Sequence, residues 1–267
     1  MSLSKKLDKL KKLILKYNTC LIAFSGGTDS AFLLKVATDV LPRSSLLAVT
    51  ANSPTYPKEE LVSAKSIAKL IGARHMIIRT AEDKDKRFIS NPVERCYYCK
   101  SELFTKLKKL AAVHKLKYVL DASNASDKFD FRPGSRAKKE LGIRSPLAEA
   151  GFTKKDIRRM SKALGLPTAD KPSLACLASR IPYGTKITSG ILDRVNKGEA
   201  FLRKLGFKQV RLRHYNGLCR IEVDKTDIAR LLTKRKPVVD KLKKLGYNYV
   251  TVDLEGYRTG SLNEVIK

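Results

Sequence analysis

Two sets of residues in this 267-residue chain have types and spacings that could do chemistry. The first is Ser25-Gly26-Gly27-Thr28-Asp29-Ser30, which follows the apolar run Cys20 to Phe24 and opens a helical pattern through Phe32, Leu33, Val36 and Ala37. A glycine turn between a strand and a helix presents backbone N–H groups at the positive end of the helix dipole, which makes an anion site. The two glycines allow tight turning and close approach of phosphate oxygens. Ser25 and Ser30 add hydroxyl donors. The Asp29 carboxylate is out of place beside phosphate unless it positions Mg²⁺ or holds the loop through backbone N–H groups. No Gly-Lys-Ser/Thr follows the glycines, so this is not the kinase-type P-loop.

The second set is the cysteines Cys20, Cys96, Cys99, Cys176 and Cys219. Cys96 and Cys99 form a C-x-x-C, which suits a redox pair, half of a zinc site, or two of three ligands to an iron–sulfur cluster. No second C-x-x-C is present, which weakens the closed zinc site. Cys176 lies between Lys171 and Arg180, two cations that favour its thiolate. Cys20 and Cys219 fall within strand patterns and read as core. An odd cysteine count in a chain without a secretion signal favours metal binding or catalysis over disulfides.

These residues need elements to position them. Leu3, Leu7, Leu10 and Ile14 recur at helical spacing among lysines. Leu46–Thr50 and Met76–Ile78 read as further strands, with a helix from Pro57 to Gly72 between them. A Cys-containing insertion and a helix over Leu103–Val113 lead to a fourth strand, Tyr118–Asp121. Strands alternating with helices predict an α/β fold, a parallel sheet with helices on both faces. Arg132–Gly142 and Thr153–Leu164 read as helices, and Pro167–Gly184 as an irregular, functional loop. From there the pattern changes. A helix over Ile187–Leu205 precedes two alternating segments, Gln209–Arg213 and Leu218–Val223, which flank Asn216-Gly217, a strong hairpin signal. A helix and the strand Tyr249–Asp253 complete a smaller C-terminal α+β domain. The expected division is residues 1–183 and 184–267, in keeping with about 150 residues per domain.

Hydrophobic residues make up 43% of the chain, enough to build a core without staples. The formal charge is +29, from 55 Lys+Arg against 26 Asp+Glu, which predicts attraction to polyanions. The excess is +19 in residues 1–183 and +10 in residues 184–267, so no basic tail carries it. No apolar run approaches the ~18 residues of a membrane span. Met1–Lys16 is too lysine-interrupted for a signal peptide. The expectation is a cytoplasmic protein without membrane association.

The loop matches the S-G-G-x-D-S signature of the PP-loop ATP pyrophosphatases. That resemblance implies ATP cleavage between the α and β phosphates, with the loop holding the diphosphate. It also implies adenine binding at the end of the second strand, around Thr50 and Ser53. The segment Asp121–Asp127, with Ser123, Asn124 and Asp127, follows the fourth strand at the carboxyl edge, where open α/β sheets bind ligands.

Several blocks together resemble one family more closely. They are Ser25–Ser30, Asn91–Phe104, Asp121–Gly134, Gly142–Leu147, Cys176–Tyr183 and Asp253–Tyr257. Together they look like the LarE family, the ATP-dependent sacrificial sulfur transferases of nickel-pincer nucleotide biosynthesis. One departure is Asp121-Ala122-Ser123-Asn124 where Asp-Gly-Thr-Asn is expected; Ser123 keeps the hydroxyl. The resemblance implies adenylation of a carboxylate of pyridinium-3,5-biscarboxylic acid mononucleotide, followed by displacement of AMP by sulfur. In one branch a single cysteine gives up its own sulfur and becomes dehydroalanine. In another, three cysteines hold a 4Fe–4S cluster that supplies sulfide. With Cys96, Cys99 and Cys176 all present, the resemblance implies the second branch.

By the same resemblance, Asp29 and Asp127 are candidates for Mg²⁺. Cys176, Asp29 and Glu199 are candidate catalytic residues. Ser179, Arg180, Arg211 and Arg213 are candidates for the small anionic nucleotide substrate, and a homo-oligomer is expected. The alternatives are an iron–sulfur tRNA thiolase and a non-enzymatic nucleotide-binding module. The even charge spread disfavours nucleic acid as a partner.

Overall fold

A computed structural model describes residues 1–129, 133–172 and 175–266. In chain order its helices and strands are α1 (Leu3–Tyr17), β1 (Cys20–Ala23), α2 (Thr28–Val40), β2 (Leu46–Asn52), α3 (Lys58–Ile71), β3 (His75–Arg79), α4 (Lys86–Ile89), α5 (Arg95–Val113), β4 (Tyr118–Leu120), α6 (Gly134–Glu140), α7 (Pro146–Glu149), α8 (Lys154–Ala163), α9 (Ser189–Lys204), β5 (Val210–Tyr215), β6 (Leu218–Val223), α10 (Ile228–Thr233), α11 (Arg235–Lys244) and β7 (Tyr249–Val252). Contacts divide the chain into two units. One is Met1–Glu82 with Glu94–Ser173, and the other is Asp83–Val93 with Leu174–Lys267.

In the first unit four parallel strands lie in the order β3-β2-β1-β4. Period-two alternation sends successive side chains to opposite faces. Cys20, Ile22, Leu46 and Ala48 face a core built with Leu10 and Ile14 of α1 and Phe32 and Leu33 of α2. Leu21, Leu47 and Val49 face a second core with Phe104, Leu107 and Ala111 of α5. The sheet is therefore buried on both sides, as parallel sheets are. Phe32 and Phe104 are almost fully buried, each contributing about 2–3 kcal/mol of apolar transfer. Cys20 is buried, and that burial pushes its thiol up to about 12, as a core residue requires.

The strand order has a consequence for ligands. From β1 the chain builds outward through β2 and β3, then returns to place β4 on the other side of β1. That reversal makes a topological switch point at the carboxyl ends of β1 and β4, the position where α/β sheets hold ligands.

The second unit contains the expected hairpin. β5 and β6 pair antiparallel with Tyr215 opposite Leu218, and Asn216 takes φ 52° in the turn. β7 runs parallel to β6. Leu212, Ile221, Val223 and Leu242 form its core. A Cβ on Gly198 would stand 2.3 Å from the Leu212 side chain, so glycine there lets α9 press against β5.

Two expectations need adjustment. The helix expected from Leu103 starts at Arg95, so Cys96 and Cys99 lie on α5 and not in an insertion before it. Arg132, the expected start of another helix, lies outside the described residues, as does the Asp130–Arg132 part of the third sequence block; α6 runs from Gly134.

Candidate active site

The loop after β1 has the local structure its sequence requires. Gly26 takes φ 70°, and a Cβ there would stand 2.8 Å from Ala64 on α3. Glycine is thus needed twice, for the backbone angle and for the close approach. Gly27 precedes α2 with no side-chain cap, which leaves the first N–H groups of the helix open to an anion. The hydroxyls of Ser25 and Ser30 lie 3.1 Å apart, and Ser30 donates to the Gly27 carbonyl at 3.1 Å. Thr28 donates to the Thr168 carbonyl at 2.7 Å, anchoring the start of α2.

Asp29 sits in the first turn of α2 and meets the segment after β4. Asn124, buried, donates from Nδ2 to Asp29 Oδ2 at 3.4 Å. The Asn124 backbone N–H donates to Asp127 Oδ2 at 3.0 Å, and its amide oxygen accepts from Ser126 N–H at 2.9 Å. The two expected Mg²⁺ carboxylates are therefore bonded to the same residue. Ser123 donates to Asp121 at 2.7 Å and accepts from Lys138 Nζ at 2.6 Å. Burial works to raise the Asp121 carboxyl, but Lys138, Ser145 and Ser123 outweigh it and hold it below the usual carboxylate range.

Two lysines that sequence reading did not connect to the loop also converge on it. Lys154 Nζ is 2.7 Å from Asp29 Oδ1. Lys171, read as a neighbour of Cys176, sends Nζ to Glu60 at 2.7 Å, Ser63 at 3.1 Å and the Gly26 carbonyl at 3.3 Å. The Thr153–Asp156 capping box marks the start of α8 and could have placed Lys154 in its first turn, but nothing local aims it at Asp29.

Thr50 and Ser53 turn their side chains into the protein. Thr50 donates to the Phe24 carbonyl at 2.7 Å, so its contact with His75 Nε2 at 2.8 Å has the ring as donor. Burial, with Lys65 nearby, holds the His75 pKa below its ordinary value, which keeps the ring neutral. Ser53 bonds to Thr55 at 2.7 Å and donates to the buried carboxylate of Glu82. Glu82 and His75 were not singled out from sequence, because each acts across strands and not along the chain.

Cys96 and Cys99 are partly exposed in the first two turns of α5. Their i,i+3 spacing puts both sulfurs on one helix face. The intervening Tyr97 is fixed to α6: the Arg136 guanidinium lies 3.9 Å from its ring centroid, and its hydroxyl donates to Glu140 at 2.7 Å. Gly134 permits this contact, since a Cβ there would stand 3.3 Å from the Cys96 carbonyl. Among the described residues, no three His, Cys, Asp or Glu side chains form a group that could hold a metal ion.

In the second unit, Cys176 is partly exposed and precedes the short 3-10 turn Leu177–Arg180. Arg180, expected to contact substrate, is almost fully buried and committed within the protein. It donates to the carbonyls of Ala175 and Cys176 at 2.7 and 3.0 Å, to Ser179 Oγ at 3.0 Å, and to both oxygens of Glu199. Glu199 is fully buried and also accepts from Leu212 N–H at 3.0 Å. Burial alone would raise its carboxyl, but Arg180, Arg211 and that N–H hold it below the usual range, so it is ionised.

Arg211 and Arg213 are buried, not solvated. Arg213 pairs with both oxygens of Glu222 at 2.7 and 2.9 Å and donates to the Ser179 carbonyl at 2.7 Å. Arg211 lies 5.1 Å from the Tyr257 ring centroid, and burial with the neighbouring Arg180 pushes its pKa down to about 10. Glu222 was missed, although the hairpin register sets it opposite Arg211.

The fold and loop define an α/β protein whose candidate site lies where a parallel sheet reverses its strand order, with a cysteine turn in a second unit. No family model matches the chain. It is 38% identical over 245 residues, 92% of this chain and 89% of the relative, to pyridinium-3,5-bisthiocarboxylic acid mononucleotide synthase of Lactiplantibacillus plantarum. It is also 43% identical over 266 residues, 99% of each chain, to an uncharacterized protein of Synechocystis sp.. A third relative, an uncharacterized protein of Methanocaldococcus jannaschii, is 31% identical over 96% of this chain and 98% of its own length. The chain belongs to the LarE family. Among the described residues, no helix is long and apolar enough to cross a membrane.

Proposed function

We propose that this protein is an ATP-dependent sulfurtransferase that converts pyridinium-3,5-biscarboxylic acid mononucleotide to its thiocarboxylates. The observation that carries the reading is the identity to the Lactiplantibacillus synthase over nearly the whole chain, which spans both the loop and the cysteine turn. A substrate carboxylate oxygen attacks the α-phosphorus of ATP, and pyrophosphate leaves. The open N–H groups of α2, with Ser25, Gly26, Gly27 and Ser30, stabilise the charge growing on that leaving group. Thr50 and Ser53, buried at the end of β2, would shape the adenine contact by holding the chain there. Sulfur then displaces AMP from the acyl-adenylate, and a second cycle gives the bis-thiocarboxylate.

Asp29 and Asp127 offer the oxygen donors that Mg²⁺ prefers, and Mg²⁺ bound there would neutralise charge on the triphosphate. Cys96, Cys99 and Cys176 offer three soft thiolates, suited to iron. Were a 4Fe–4S cluster bound, these three thiolates would hold it and it would supply the sulfur to be transferred. Arg180 and Glu199 hold the Cys176 turn. Arg211, Arg213 and Ser179 supply cationic and polar groups for the substrate phosphate and carboxylates. The domain from residue 184 onward supplies the contact of a homo-oligomer.

The test is pyrophosphate release with MgATP and either the biscarboxylate mononucleotide or bulk tRNA. Release is expected with the mononucleotide alone. Release driven by tRNA, with binding that falls steeply as salt rises, would assign a tRNA thiolase instead.

A further inference from the structure

We infer that Lys154 is an exchangeable counter-ion of the nucleotide loop. It pairs with Asp29, yields that carboxylate to the divalent cation that arrives with ATP, and carries its freed ammonium to the phosphate oxygens. This rests on the ATP reading above.

The geometry distinguishes the fixed partner of Asp29 from the movable one. Oδ2 accepts from Asn124, a buried amide locked by its own bonds to Ser126 and Asp127. Oδ1 accepts from Lys154 Nζ, at the end of a flexible four-carbon stem. The backbone of Lys154 is anchored: its N–H donates to Ser126 Oγ at 3.2 Å, and the Thr153–Asp156 capping box fixes the first turn of α8. The stem can therefore swing while its base stays beside the loop. The pair is 24% exposed at Asp29 and 33% exposed at Lys154, so water already competes with it and its net worth is small. A divalent cation brought by a triphosphate competes for Oδ1 with twice the charge. The displaced ammonium then remains next to the uncapped N-terminus of α2, where phosphate charge accumulates.

Lys171 is the contrast. It has three partners, Glu60, Ser63 and the Gly26 carbonyl, and is 18% exposed. It pins the loop to α3.

The experiment measures Mn²⁺ binding, by electron paramagnetic resonance, to the full-length protein with and without ATP. An ammonium that must be displaced subtracts its pair energy from metal binding. Lys154→Met should thus bind Mn²⁺ without nucleotide roughly twofold to fivefold more tightly than the parent, the factor set by an exposed pair. The same variant should release pyrophosphate more slowly, with a lower kcat. Lys154→Arg keeps the cation and should bind Mn²⁺ as the parent does. Lys171→Met should lower the melting temperature without tightening Mn²⁺. Unchanged or weaker Mn²⁺ binding in a folded Lys154→Met overturns the inference. Loss of Mn²⁺·ATP binding in Asp29→Asn separates the two readings: if it occurs and Lys154→Met behaves as the parent, only the exchange is wrong. If parent and Asp29→Asn bind Mn²⁺·ATP alike, the loop is not the metal–nucleotide site, and the exchange falls with it.

Discussion

Arg180 grips Glu199 with two nearly parallel bonds, Nε to Oε1 at 2.8 Å and Nη2 to Oε2 at 3.0 Å, with both side chains excluded from solvent. The remaining arm of the guanidinium donates to the carbonyls on either side of the Ala175–Cys176 junction. The turn that carries the sulfur is therefore suspended from a buried ion pair, and α9 reaches that pair because Gly198 lets it approach β5.

Removing one half of this pair leaves the other charge buried. Glu199→Leu should destabilise the second unit by about 3–5 kcal/mol, the range for breaking a buried pair. In the milder Arg180→Lys, bidentate geometry is lost and Cys176 should react faster with iodoacetamide under native conditions. Thermal melts and timed alkylation with mass spectrometry check both. An unchanged alkylation rate in Arg180→Lys would mean that the guanidinium does not hold the turn.

Gly26 and Gly72 both take positive φ, but they differ in surroundings. A Cβ at Gly72 meets nothing within 4 Å, whereas one at Gly26 collides with Ala64. Gly72→Ala should cost about 1–2 kcal/mol, the left-handed backbone penalty alone, and leave ATP binding intact. Gly26→Ala should cost more and abolish ATP binding, because the loop must shift away from α3. Chemical denaturation and nucleotide titration of the two variants test the distinction; equal effects would refute it.

Both His75 and His214 have pKa values held below the ordinary value of 6.5, chiefly by burial, with Lys65 and Arg194 adding to it. In the unfolded chain they take up protons near pH 6.5, while in the folded protein they do so only at lower pH. Their contribution is full above the unfolded pKa and is lost as pH falls from about 6.5 through the folded values. The melting temperature should therefore drop between pH 7.5 and 5.5. His75→Gln retains a donor for Thr50 and should show a shallower drop over that interval. The same slope in the variant would show that His75 does not contribute.

Most of the parallel sheet was legible because short apolar runs bounded by glycine turns and helical patterns are local signals. The hairpin at Asn216-Gly217 was fixed by two residues whose backbone preference admits few alternatives. The start of α5 was not legible, since Arg95-Cys96-Tyr97-Tyr98 has no amphipathic repeat and is held by packing against α6. The loop could be read from its glycines, but Lys154 and Lys171 reach it across 125 and 145 residues. The burial of Arg180 was not legible for a related reason. Its sequence neighbourhood signals chemistry, and only the tertiary approach of Glu199 turns it inward.

The cysteine assignment predicts distinct products for its two branches. Anaerobic reconstitution with iron and sulfide should give a brown protein with the iron-to-sulfide ratio of a 4Fe–4S cluster, and Cys96→Ser should lose the colour. After turnover the intact protein mass should be unchanged. A protein lighter by one H₂S, with the loss mapped to Cys176, would mark the sacrificial branch and refute the cluster as sulfur source.

The most direct measurement is the mass of the small molecule after the anaerobically reconstituted protein has been incubated with MgATP and pyridinium-3,5-biscarboxylic acid mononucleotide. The account predicts a product in which carboxylate oxygen is replaced by sulfur, with one AMP released for each replacement. Recovery of the mononucleotide unchanged, with ATP either intact or hydrolysed without sulfur incorporation, would contradict it.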